Sequence, residues 1–186
     1  MKNTMKSIRT IFCSAIVVFT LLVVPVAVSA QSSTALSSES QLQQIADTLA
    51  IQQLLAKYMN FMDASDYESY SKLFNDDGEL IFQSFDLKGP QAIREMMGRG
   101  SQAREQSDRP PRILRHTMSN SLIEINGDTA THTARWITMS AGADGKPVIG
   151  GTGLYQDLLR KVDGAWKIQR RVITNDIPYV KTKALE

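Results

Sequence analysis

The chain has 186 residues, 21 Lys+Arg against 19 Asp+Glu, and a calculated pI of about 8.7. Three of the cations, Lys2, Lys6 and Arg9, stand at the extreme N-terminus, and from residue 31 onward the balance is 18 against 19, which leaves no basic footprint for nucleic acid. The single cysteine, Cys13, lies in the same N-terminal segment, so the remainder can build neither a disulfide framework nor a thiolate metal site.

Residues 1–30 read as a secretory signal. The three cations form a positive n-region, residues 11–28 carry no charge, and Val28-Ser29-Ala30 offers the small side chains needed for cleavage before Gln31. An uncleaved membrane anchor is the alternative; Pro25 and the small-residue site argue against it. Cys13 lies too early for a lipoprotein cut. The expected product is exported to the periplasm or the medium. Its 156 residues suffice for one hydrophobic core and are short for two domains.

Residues 31–40 are Ser/Thr-rich and read as a flexible leader, with a domain over 41–180 and a tail over 181–186. A helix is predicted over 42–62, where Leu42, Ile45, Leu49, Leu55, Tyr58 and Met62 recur at helical spacing with some longer steps. A second, short helix over 66–74 starts at an acidic cap. Asn75-Asp76-Asp77-Gly78 has turn chemistry, residues 79–84 read as a strand, and Gly89-Pro90 opens a third helix over 90–97. Residues 98–111 read as a mobile loop with a helical start. Beyond it the period becomes strand-like over 112–125, 129–140, 147–160 and 166–175. The linkers Asn126-Gly127-Asp128, Asp144-Gly145 and Asp163-Gly164 supply the positive φ of tight hairpins. Helices followed by hairpin-linked strands give an α+β fold with an antiparallel sheet.

Few residue types that carry chemistry are present. By alternation, His116 shares a face with Leu114, Met118 and Leu122; such a residue is either a satisfied core histidine or a base. An Asp63 near the C-terminal end of a helix is disfavoured by the dipole, so it either begins a turn or has a cationic partner. Tyr58 is either a core aromatic or a hydrogen-bond donor. His132 lies near a hairpin and reads as an exposed or edge histidine. Trp166 and Arg171 fall on opposite faces of a regular strand, so an inward Arg171 needs a bulge; without one Arg170 points inward. Trp136, Met139 and Tyr155 are candidate walls of a pocket or plain core. Two histidines without a mature cysteine make a zinc site unfavourable, "GGTG" reads as a strand kink, and no G-x-S-x-G is present.

The segments "IQQLLAKYMNFMDASDYESYSKLFNDDGEL", "KGPQAIREMM", "RHTMSNSLIEINGDTATHTARW" and "GGTGLYQDLLRKVDGAWKIQRRV" together resemble the SnoaL-like family of the nuclear transport factor two-like superfamily. The resemblance runs over 42–177. It implies a conical, barrel-like α+β fold, in which a strongly curved sheet wraps the N-terminal helices around a deep, mostly apolar pocket, and a homodimer through the outer sheet face. The superfamily holds dehydratases, ketosteroid isomerases, dehydrochlorinases, epoxide hydrolases, polyketide cyclases and proteins without known catalysis, so the fold alone does not assign an activity. The dehydratases and a hexachlorocyclohexane dehydrochlorinase place a basic histidine at the position matching His116 and an orienting aspartate at that matching Asp63. Tyr58 matches a tyrosine of the bile-acid-type dehydratases, and Arg171 resembles a pocket arginine of the dehydrochlorinase. The expectation is a cofactor-free, metal-free lyase or isomerase: Asp63 and His116 catalytic, Tyr58, Trp136, Tyr155 and Arg171 substrate-binding. The partner would be a small apolar or aromatic molecule. A non-catalytic periplasmic binding or accessory protein, or an interaction domain using the outer sheet face, is the alternative.

Overall fold

A computed structural model describes residues 37–105, 113–142 and 144–177, so the expected signal segment, most of the expected leader and the expected tail lie outside the described residues. Helix α1 spans Ser38–Ala64 and begins inside the expected leader, because the Ser37 side chain accepts the Ser40 N–H at 3.2 Å and caps it. It ends at Ser65 in the left-handed region (φ 58°), where the Ser65 N–H returns to Met62 O at 3.1 Å and the Asp66 N–H to Phe61 O at 2.9 Å. Asp66 then caps α2 (Tyr67–Ser71) by accepting the Ser69 N–H at 3.0 Å, the acidic start expected from sequence.

The buried face of α1 is Asp47, Ile51, Leu54, Leu55, Tyr58 and Met59. Leu42, Ile45 and Leu49 instead stay exposed, which corrects the continuous stripe read from sequence. The six-residue step from Leu49 to Leu55 is where that stripe crosses to the opposite side of the helix. Rotation about the axis is fixed by Asp47, whose carboxylate accepts from Trp166 Nε1 at 2.7 Å and pairs with Lys161 Nζ at 2.6 Å. Burial opposes ionisation of Asp47, but its bonds to Lys161, Trp166 and Gln43 prevail and hold its carboxyl below the usual range.

Among the described residues six strands follow: β1 (Phe74–Phe82), β2 (Phe85–Lys88), and, after α3 (Gly89–Glu105), β3 (Leu114–Asn126), β4 (Thr129–Ala141), β5 (Pro147–Val162) and β6 (Ala165–Ile177). They form one open sheet in the order β2-β1-β6-β5-β4-β3. The three late hairpins fall where expected, with Gly127, Gly145 and Gly164 at positive φ. The sheet is mixed rather than antiparallel throughout, since β1 runs parallel to β6. Asn75-Asp76-Asp77-Gly78 is not a turn but an irregularity inside β1, between the Phe74↔Ile168 and Glu79↔Arg170 pairs. The turn chemistry there serves a bulge, and a Cβ on Gly78 would sit 2.9 Å from the carbonyl oxygens of both Asn75 and Ile168. Helix α3 extends to Glu105, through the start of the segment read as loop; residues 106–112 lie outside the described residues.

The core lies between α1 and the inner sheet face. Ile51, Leu55 and Tyr58 meet Leu80, Leu159 and Ile168, and each such buried aliphatic side chain contributes about 1.5–3 kcal/mol. Trp136 also lies on this face, opposite Gly153 in the β4–β5 register. A Cβ on Gly153 would fall 1.8 Å from Thr174 O and 2.6 Å from the Trp136 ring, so "GGTG" makes room for an indole. Gly153→Ala is expected to destabilise the protein by at least about 1–3 kcal/mol, the ordinary cost of overpacking, read as a lower urea midpoint.

Candidate functional site

Asp63 stands one residue from the C-terminal end of α1, and His116 is the third residue of β3. The fold brings them together. His116 Nδ1 lies 2.7 Å from Asp63 Oδ1, and the backbone N–H of His116 donates to the same oxygen at 3.0 Å. A carboxylate only accepts, so the Nδ1 facing it carries the proton and Nε2 of the neutral ring keeps its lone pair. The two side chains are 19% and 10% exposed, screened from bulk water yet reachable. The two donors also satisfy an acid that the helix dipole would otherwise disfavour.

A second, fully buried cluster lies on the inner sheet face. Arg171 Nε donates to Asp157 Oδ1 at 2.7 Å and its Nη2 to Oδ2, while His132 Nδ1 lies 2.6 Å from Oδ2. His132 is completely buried, which corrects the reading of an exposed or edge residue. It sits on the second strand from the edge, between Ile123 of β3 and Asp157 of β5, and its alternation points inward. Arg171 is inward because β6 has the required bulge: Leu158 pairs with Arg170 but Leu159 with Ile168, so Gln169 is the extra residue. Arg170 points outward and reaches Glu79.

The Arg171 guanidinium packs on two rings, 3.8 Å from the Tyr58 centroid and 4.6 Å from that of Tyr155. Tyr58 is fully buried and accepts the Tyr70 hydroxyl at 2.7 Å. The expected substrate-binding residues Tyr58, Trp136, Tyr155 and Arg171 are thus gathered, with Trp136 and Tyr155 centroids 6.1 Å apart. Burial, and then the neighbouring Tyr58, raise the Tyr155 hydroxyl well above its usual pKa. Burial likewise raises Tyr70, so both phenols stay neutral. Burial works against ionised Asp157, but the charge and hydrogen bonds of Arg171 overcome it and lower the pKa. Arg171 stays charged for the reciprocal reason. Among the described residues two buried donors, Arg171 Nη1 and Trp136 Nε1, have no partner.

The sequence reading also set Leu122 beside His116. A bulge between Ser119 and Leu122, with Asn120 at φ 53°, reverses the alternation, so Leu122 is exposed and Ile123 and Ile125 turn inward. Asp157, Ser121 and Tyr70 were not singled out. Period-two spacing in "YQDLL" puts Asp157 on the face of Tyr155 and Leu159, and a charge on a core face requires a partner. Among the described residues no group of three or more His, Cys, Asp or Glu could hold a metal ion, and no helix is long and apolar enough to cross a membrane. A groove of about 520 Å³ on α1, lined by Gln41, Gln44, Ile45, Thr48, Leu49 and Gln52, contains no ionisable side chain and none of these residues.

A family model described as a SnoaL-like domain matches residues 43–172. The chain belongs to the SnoaL-like domain family. A protein of unknown function from Mycobacterium tuberculosis is 31% identical, with 75% of this chain and 77% of that one covered and a TM-score of 0.65. An NTF2-like protein with a cystatin-like fold from Novosphingobium aromaticivorans is 22% identical over 78% of this chain and 90% of that one, with a TM-score of 0.65. A candidate scytalone dehydratase from the same organism is 21% identical over 74% and 89%, with a TM-score of 0.60, and at this identity the likeness speaks for the fold. Among proteins with curated functions, none matches the sequence.

Two consequences follow for this SnoaL-like domain. Asp157→Asn leaves the buried guanidinium facing a neutral amide and is expected to cost about 3–5 kcal/mol in urea unfolding. The lowered pKa of Asp157 places its contribution to wild-type stability above the ordinary carboxylate value, and that contribution is lost as pH falls through the folded value. Wild-type stability should therefore decline below about pH 4, with a weaker decline in Asp157→Asn.

Proposed function

We propose that this chain is an exported, cofactor-independent lyase or isomerase of dehydratase type, acting on a small, largely apolar molecule that carries a hydrogen-bond acceptor. The observation that carries the reading is the Asp63–His116 contact, which engages Nδ1 and leaves His116 Nε2 to act as the base. Nε2 would take a proton from a carbon next to a carbonyl or similar group, and Asp63 would stabilise the imidazolium that forms. Negative charge moving onto the substrate oxygen needs donors fixed in place. Arg171 Nη1 and Trp136 Nε1 are unpartnered, and the Tyr58–Tyr70 pair spends one of its two hydroxyl protons on their mutual bond. Expulsion of a β-substituent completes an elimination, and return of the proton to another carbon completes an isomerisation. Likeness to a candidate scytalone dehydratase supports the class, and the pattern of residues 1–30 supports export.

The test is deuterium exchange and elimination on a panel of bicyclic ketones and β-hydroxy ketones in D2O. Turnover by the wild-type protein is expected to fall about 10²–10⁴-fold in His116→Ala and in Asp63→Asn, with the double variant little worse than the worse single one. Near-wild-type rates in a His116→Ala protein with an unchanged melting curve would overturn the reading and leave a ligand-binding protein. The proposal extends to a homodimer through the outer sheet face, where Leu122 and Leu158 are exposed on β3 and β5, while the aromatic Tyr155 and Trp166 turn inward. Light scattering at micromolar concentration is expected to give twice the chain mass.

A further inference from the structure

The sheet holds a second histidine relay that the dyad does not use. Ser121 Oγ lies 2.8 Å from His132 Nε2, and His132 Nδ1 lies 2.6 Å from Asp157 Oδ2. From these contacts we infer that Ser121, His132 and Asp157 form a serine nucleophile, base and orienting acid able to accept an acyl group from small activated esters.

Each role follows from the arrangement. Asp157 is ionised and acceptor-only, so Nδ1 of the neutral His132 ring carries the proton and Nε2 accepts from the Ser121 hydroxyl. That polarity makes the hydroxyl oxygen nucleophilic. Arg171 holds Asp157 through both of its oxygens, so the acid that orients His132 is itself fixed. Burial is graded in the useful direction: Asp157 and His132 side chains are fully buried, and Ser121 is exposed. Among the described residues, the polar contact of His132 toward solvent runs through the Ser121 hydroxyl.

The bulge puts the serine there. Asn120 and Ser121 have no register partner in β4, and Asn120 takes φ 53°. A regular strand would pair residue 121 and turn it outward relative to Met118; the extra residue turns Ser121 toward His132. The backbone N–H groups at the bulge are the donors nearest in sequence to the oxyanion that attack at Ser121 creates. A strand-bulge placement explains why no G-x-S-x-G motif announces the site.

The reaction balances without a further reagent. Ser121 Oγ forms a bond to the ester carbonyl carbon, and its proton passes to His132 Nε2. The carbon–oxygen bond to the leaving group breaks, and an alcohol departs with that proton. Water then attacks the acyl-serine, releasing the carboxylic acid and restoring the hydroxyl. Because the serine stands at the open sheet edge, the substrate class is short-chain acyl esters with good leaving groups.

The test uses p-nitrophenyl acetate and a fluorophosphonate with the folded chain, locating the adduct by peptide mass spectrometry. One adduct per chain on Ser121 is expected. Ser121→Ala should lose both the adduct and at least about 100-fold of the p-nitrophenolate release. Ser119→Ala and His116→Ala should keep the Ser121 adduct, which separates it from acyl transfer through His116. No adduct on wild type, an adduct elsewhere, or undiminished release by Ser121→Ala would overturn the inference. Ser121→Ala removes the hydroxyl bond to His132 but keeps the His132–Asp157 bond, and a melting curve close to that of wild type shows that the variant is folded. Deuterium exchange by the dyad should be unchanged in Ser121→Ala, so either reading can fail without the other.

Discussion

The ion pair between Asp157 and Arg171 organises the inner face of the sheet. Two opposite charges at paired positions of β5 and β6 are enclosed completely. Removing one such partner from an interior strands the other charge, so each must be met by hydrogen bonds. His132 from β4 meets one carboxylate oxygen, and Tyr58 from α1 covers the guanidinium with its ring. Three strands and the long helix therefore meet at one polar cluster. Among the described residues, Arg171 Nη1 is the donor of this arrangement left without a partner.

The polar interior depends in turn on where the strands break their alternation. Side-chain direction has period two, so one extra residue reverses every face beyond it. Gln169 does this in β6 and brings Arg171 inward. The Asn120-Ser121 bulge does it in β3, turning Ser121 toward His132 and sending Leu122 to the surface. His116 lies before that bulge and keeps the direction read from sequence, whereas its pairing with Asp63 was implied by the family resemblance.

Much of the architecture was legible in "RHTMSNSLIEINGDTATHTARW" and the segments after it, because Gly-containing turns and β-branched runs are local signals. The parallel β1–β6 pairing was not, since it depends on residues 94 apart such as Asn75 and Gln169. Nor was the turn-like Asn75–Gly78 run, whose composition is the same for a hairpin and for a bulge. His132 was misread because nearness to a hairpin in sequence does not set depth in a sheet. Its partner Asp157 becomes informative only when the inward face of β5 is known. The exposed half of the α1 stripe failed for a related reason: apolar spacing identifies a helix, whereas Asp47 and its bond to Trp166 decide which side faces the core.

The strand order also governs when the molecule can assemble. The last strand among the described residues, β6, lies in the middle of the sheet, with β1 on one side and β5 on the other. Until it emerges, the β1–β2 ribbon and the β3–β5 meander have no common neighbour, and α1 has no Trp166 to bind across a separation of 119 residues. Such high contact order delays folding until synthesis is complete. For the export proposed above, that delay would keep the fold open while the chain threads a translocon.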